Sequence, residues 1–307
     1  MGFRIIVTKD NNELYLELNI FYNIGLIITG ILGFIFNSFF SYIIWKEKLW
    51  KQSIQFVFQI LSSGSGIVWG IRNIIISILN LTLFDSSILS YDFTICRIKT
   101  VTDVLIMFIF ASSFGYIMMS FTLLIKFPFF FKHYLDNAKN NKYIVIFTIF
   151  IAIICDVMYI WDVNDTKANK NCNIYSFAGH IFEICYMGFI ISTIIVSMPI
   201  FIYGFYNVMK LNLDETVKSN VIRLSNYMNV VYVTFWIIPY IVIIISFFLK
   251  SDRFFIGLFY DVCVFSLGII VVIDFIIAFL FNKQVKDAAL ILLKQKNKIT
   301  SITKPRN

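Results

Sequence analysis

The chain has 307 residues, of which 59% are hydrophobic and only 14% charged. A soluble globular chain carries roughly 25% charged residues; at a mean hydropathy of +0.81, too much apolar surface remains for water to solvate around one soluble core, so lipid is the expected solvent. The net charge of +8 would point to nucleic acid in a soluble protein, but here the cations fall in loops between apolar runs, where they suit an anionic membrane leaflet, and no nucleic-acid partner is expected.

Residues 1–18 are mixed and polar and lack the n-region, h-region and cleavage-site order of a signal peptide. They are expected to form an extracellular N-terminus. A helix needs about 20 mostly apolar residues to cross the hydrocarbon core, and seven stretches within residues 19–281 qualify. The first covers 19–45, with no charge between Glu17 and Lys46. The second, 54–79, carries Arg72, and the third, 101–125, has Asp103 near its start. The fourth covers 143–161 with Asp156, the fifth 178–205 and the sixth 228–248. The seventh, 255–281, contains Asp261 and Asp274. Unsatisfied backbone groups are too costly in lipid for any of these to be other than helical. The expected fold class is an all-α membrane protein, a seven-transmembrane helix bundle. Residues 282–298 follow as a short amphipathic eighth helix, with Val285, Ala288, Ala289, Leu292 and Leu293 on one face and Lys on the other. Such a helix lies in the membrane interface, held by apolar burial and anionic lipid. Residues 299–307 are expected to be a cytoplasmic tail.

Cytoplasmic loops are enriched in Lys and Arg. With the N-terminus outside, seventeen of the 26 Lys and Arg fall in the cytoplasm and eight outside, so the expected placement is multi-pass in the plasma membrane, N-terminus extracellular and C-terminus cytoplasmic. Asn80-Leu-Thr and Asn164-Asp-Thr are N-glycosylation acceptors, and both fall in loops that this topology puts outside.

Five cysteines are present. Cys155, Cys185 and Cys263 lie in apolar runs and read as small core residues. Cys96 and Cys172 lie on the oxidising side, where disulfides persist; a Cys96–Cys172 bond is expected, the alternative being two free thiols. The sequence has no P-loop, G-x-G-x-x-G, H-E-x-x-H or C-x-x-C, so no enzyme and no cofactor is expected. His133 and His180 fall on opposite sides of the membrane and cannot share a metal; His180 and Glu183 read as a surface pair. Ionisable groups at membrane depth are costly and usually functional. Asp103 either anchors a ligand or pairs with Arg72. Asp274 is expected to hydrogen-bond within the bundle, with Asn37 the candidate partner. Trp236 and Tyr240 flank Pro239, either as packing around a kink or as a pocket floor that moves when the kink flexes.

Together these residues resemble the rhodopsin-like G-protein-coupled receptor family over residues 19–298. Asn37 in GFIFNSFF is similar to the asparagine of that family's first helix, and Cys96 with Cys172 looks like its helix-three-to-loop disulfide. Pro128, Pro199, FWIIPY around Pro239 and DFIIAFLFNKQVK resemble further family landmarks, and Asp103 matches the cation-binding aspartate of amine receptors. There are departures. Ser120, Phe121 and Thr122 replace the Asp-Arg-Tyr motif, removing the arginine that engages the G protein. Gly64 replaces the helix-two aspartate, Ile237 the toggle tryptophan and Asp274-Phe275 the Asn-Pro pair. Gly268 stands at the retinal-lysine position of opsins, and Ile191 and Ile195 where catecholamine receptors have serines. An intact frame with eroded motifs resembles the divergent nematode chemosensory receptors. The resemblance implies a receptor that passes an extracellular small-molecule, chemosensory or peptide signal to a heterotrimeric G protein, with Asp103, Met107, Trp236, Tyr240 and Val264 as ligand contacts. The alternatives are a seven-helix channel or transporter, and a receptor-like subunit that does not couple.

Overall fold

A computed structural model of the chain describes residues 19–51, 53–84, 93–135, 138–162, 179–210, 230–249 and 253–302. Among these residues every regular element is helical: α1 Ile20–Lys46, α2 Ile54–Phe84, α3 Phe93–Lys126, α4 Ala138–Trp161, α5 His180–Lys210, α6 residues 230–248, α7 Arg253–Phe281 and α8 Lys283–Ile302. Five of the helices are long and apolar enough to cross a bilayer, with stretches Ile20–Lys46, Ile54–Thr82, Cys96–Ile117, Lys142–Trp161 and Leu258–Leu280. Shorter apolar stretches occupy Ile181–Thr193 and Val230–Ser246. This is the build of a multi-pass membrane protein. The outer faces agree: α4 exposes Ile146, Phe147, Phe150, Ile153 and Val157 along its length, an apolar strip too extended to leave in water.

Apolar windows locate the helices but not their ends. α1 starts where expected because Asn19 caps it, accepting from the backbone N–H groups of Phe21 at 2.9 Å and Tyr22 at 3.2 Å. α2 runs on past residue 79, and α3 begins well before residue 101, so Cys96 lies inside α3. These extensions carry polar residues that lengthen a helix without raising its hydropathy. α8 continues to Ile302 rather than ending at 298, which moves residues 299–302 out of the expected tail. Pro305, which disfavours helix in the residue before it, is the first breaker after it.

The tightest helix pair is α1 with α2. A Cβ on Gly30 would stand 2.9 Å from the Gly70 carbonyl oxygen, and one on Gly70 2.6 Å from that of Gly30, so the backbones approach closely only because neither residue has a side chain. Asn80 Nδ2 ties α2 to α1 by donating to Asn23 Oδ1 at 3.0 Å. The Tyr22 hydroxyl ties α1 to α7 by donating to the Asp261 carbonyl at 3.1 Å. The main core draws on every helix from α1 to α7, including Leu26 of α1 and Tyr159 of α4. A second cluster joins Phe40, Ile43 and Ile44 of α1, Phe275 and Ala278 of α7, and Val285, Ala288 and Ala289 of α8. The apolar face of α8 expected to dip into lipid therefore packs on protein through Val285, Ala288 and Ala289, and among its described side chains Leu290 and Ile291 are the apolar ones left exposed.

α6 departs from regular α-geometry. Val233–Ile237 forms a π turn in which the Ile238 N–H donates to the Val233 carbonyl. The cause lies just beyond it: Pro239 has no N–H to offer and its ring crowds the preceding turn, and a wider turn is one way to absorb that conflict.

Candidate functional site

Asp103 sits on the inner face of α3, 3% exposed. Arg72 of α2, also buried, donates from Nη2 to Asp103 Oδ2 at 2.5 Å, and its Nη1 donates to Asn73 Oδ1. Of the two roles open to Asp103, the structure shows the ion pair. One turn along α3, the Met107 sulfur accepts from the Tyr240 hydroxyl at 3.4 Å. The rings of Tyr240 and Trp236 have centroids 4.9 Å apart, and Trp236 lies 5.2 Å from Phe110. Val264 of α7 belongs to the same buried cluster as Met107, Trp236 and Tyr240. The five expected ligand contacts thus converge on one interior region walled by α2, α3, α6 and α7.

Further along the bundle, toward the Lys126 end of α3, lies a cavity of about 50 Å³ with a mainly apolar wall, into which Asn37, Gln59, Ser62, Ser63, Tyr232 and Asp274 bring polar groups. That volume has room for a few waters. The expected Asn37–Asp274 bond is not formed. Asn37 Nδ2 donates to the backbone carbonyls of Gly33 at 2.8 Å and Val271 at 3.2 Å, and Asp274 Oδ2 accepts from the Tyr232 hydroxyl at 2.8 Å. Asp274 Oδ1 and Gln59 Oε1 find no protein donor. Sequence reasoning missed Tyr232. It also passed over Gln59, Ser62 and Ser63, although polar residues spaced by three and four in an apolar helix mark one wet face.

At the Lys126 end, the Lys126 ammonium bonds the Tyr203 hydroxyl and lies 4.4 Å from that ring's centroid, linking α3 to α5. At the opposite end, Asp162 Oδ2 accepts from the Phe182 N–H at 2.7 Å and so caps the start of α5. Glu183, expected in a surface pair, is buried, because α5 turns it toward the bundle. Cys96 is buried, while Cys155, Cys185 and Cys263 carry free thiols; Cys172 lies outside the described residues. Among the described residues no three His, Cys, Asp or Glu side chains group so as to hold a metal.

The glycosylation expectation needs correcting at one position. Asn80 is not in a loop but within α2, 2% exposed, with its amide nitrogen committed to Asn23. Asn164 lies outside the described residues. Asn164→Gln is expected to abolish an endoglycosidase-sensitive mobility shift of the expressed protein, and Asn80→Gln to leave it intact; loss of the shift with Asn80→Gln would show that the helix end opens to the glycosylation machinery.

Compared with known proteins, the chain matches no protein-family model and no curated protein. The functional reading therefore stands on the residues and their geometry.

Proposed function

We propose that this chain is a seven-span receptor resembling the rhodopsin-like class, with its N-terminus outside the cell, that passes an extracellular small-molecule signal to a heterotrimeric G protein. The observation that carries the reading is the convergence of Asp103, Met107, Trp236, Tyr240 and Val264 on one interior region, directly beside the π turn of α6. A ligand seated there touches a helix whose backbone departs from regular α-geometry. It would favour an open bundle by its higher affinity for that state, with α6 swinging at Pro239. The Tyr232–Asp274 bond holds α6 to α7 in the closed arrangement. The docking face then lies at the Lys126 end, where Lys132 and Lys210 are exposed and Phe129 is 84% exposed; Lys218 falls outside the described residues. Pairing of Cys96 with Cys172 belongs to this reading and would tether the loop before α5 over the ligand entrance.

The test is ligand-stimulated nucleotide exchange on purified G proteins by the chain in lipid nanodiscs. Exchange above the empty-disc level is expected for at least one ligand of a broad small-molecule panel. Tyr232→Phe, which frees α6 from Asp274, is expected to raise ligand-independent exchange several-fold. Silence toward every G-protein class, with correctly folded protein in the disc, would instead favour the receptor-like subunit that does not couple, a reading supported by Phe121 at the position of the coupling arginine.

A further inference from the structure

We infer that the inner wall of α2 is a binding face for a neutral, mostly apolar molecule bearing a carbonyl oxygen. This rests on the receptor reading above for its role in signalling, and it specifies the chemistry of the ligand. Trp69, Arg72, Asn73 and Ser77 recur at intervals of three and four and so share one side of the helix. All four are at least nine-tenths buried. Trp69 Nε1, Arg72 Nε, Asn73 Nδ2 and Ser77 Oγ have no hydrogen-bond partner in the protein. The Asn73 carbonyl oxygen is taken by Arg72, which leaves its NH2 group as the unmatched half. Three of these four groups can only donate. A buried donor left unmatched forfeits its bond to water without replacement, and buried polar groups without partners are rare enough that each needs an explanation. Several on a single helix face share one remedy, an occupant that brings acceptors.

Electrostatics selects among acceptors. Asp103 is already neutralised by Arg72, so a cationic ligand would meet a guanidinium and no carboxylate to itself. An anionic ligand would have to share Arg72 with Asp103, and two like charges held against one guanidinium in a water-poor interior repel strongly. A carbonyl oxygen supplies two lone pairs without charge. The rest of the molecule would contact Met107, Cys263 and Val264, which are buried and apolar.

The test compares octanone, octylamine and octanoate, one carbon skeleton with three head groups, by thermal unfolding of the full chain in lipid nanodiscs. Octanone at saturation is expected to raise the midpoint by about 3 °C, with the amine and the carboxylate no different from solvent. Arg72→Lys keeps a cation for Asp103 but removes the Nε–H, and Asn73→Asp keeps the acceptor for Arg72 but removes the NH2. Each is expected to abolish the octanone shift, and either serves alone if the other fails to fold. A shift with octylamine or octanoate as large as with octanone, no shift with any of the three, or an octanone shift that survives the substitutions overturns the inference. Binding is read without a G protein, so the two readings fail separately. Octanone binding with no exchange counts against the receptor, and exchange driven by octylamine without octanone binding counts against the carbonyl site.

Discussion

Asp103→Asn is expected to remove most of the folded protein from the cell surface, and adding Arg72→Gln to restore much of it. The two side chains meet at 2.5 Å with both ends buried. Taking away the carboxylate leaves a guanidinium in the interior with its charge unanswered, a loss of about 3–5 kcal/mol when one partner of a buried pair is removed. A typical fold is stable by about 5–15 kcal/mol, so such a loss shows as retention and degradation. The double substitution leaves two neutral amides that can bond each other. Surface labelling of tagged protein, with the unfolding midpoint of each purified variant, closes the cycle. If Asp103→Asn alone reached the surface at normal density and lost only its response to ligand, Asp103 would be a ligand contact rather than the keystone of a pair.

The second large effect concerns Trp69 and Gly268. The indole of Trp69 fills the space that a side chain at Gly268 would occupy, so a Cβ there would overlap the ring. Gly268→Leu is expected to destabilise the bundle by about 3 kcal/mol, at the upper end for overpacking. Trp69→Ala leaves a cavity and is expected to cost about 3–5 kcal/mol. Combined, each change fills or vacates what the other disturbs, so the double variant should be more stable than the sum of the two losses predicts, by roughly 1–3 kcal/mol of coupling. Strict additivity in the unfolding midpoints would mean that α2 and α7 do not press on each other here.

Much of this architecture was legible in the residues because lipid leaves few options. A run of apolar side chains long enough to cross a bilayer must be helical: the windows 54–79 and 255–281 fall inside α2 and α7, and 19–45 matches α1 apart from its capping Asn19. The ends are less legible: polar residues lower the hydropathy around Asn80, so a segment that is still helical has the pattern of a loop. Arg72 and Asp103 could be matched in advance because each is a costly charge with few possible partners. The Tyr232–Asp274 bond could not, since a tyrosine among many aromatics carries no sign of which carboxylate it will meet. The same holds for Trp69 against Gly268, where the information is a fit between shapes on helices far apart in the chain. Asn37 shows the limit from the other side: its expected partner lines the same cavity, but backbone carbonyls of its own helix and of α7 claimed its amide first.

Because consecutive residues of an α-helix are about 100° apart around its axis, the wide turn at Val233–Ile237 also sets the rotational phase of everything after it. Val231 and Tyr232 are buried before the turn, and Trp236 and Ile237, five positions on, are buried at its end. Were the Ile238 N–H to exchange its Val233 acceptor for the next carbonyl, the half of α6 beyond would rotate by about one residue's angle. Trp236 and Tyr240 would leave the core together. The register of a single backbone bond thus works as a dial for which aromatic rings the interior displays, and gaining or losing one residue in this stretch would redraw the interior surface rather than merely change the helix length.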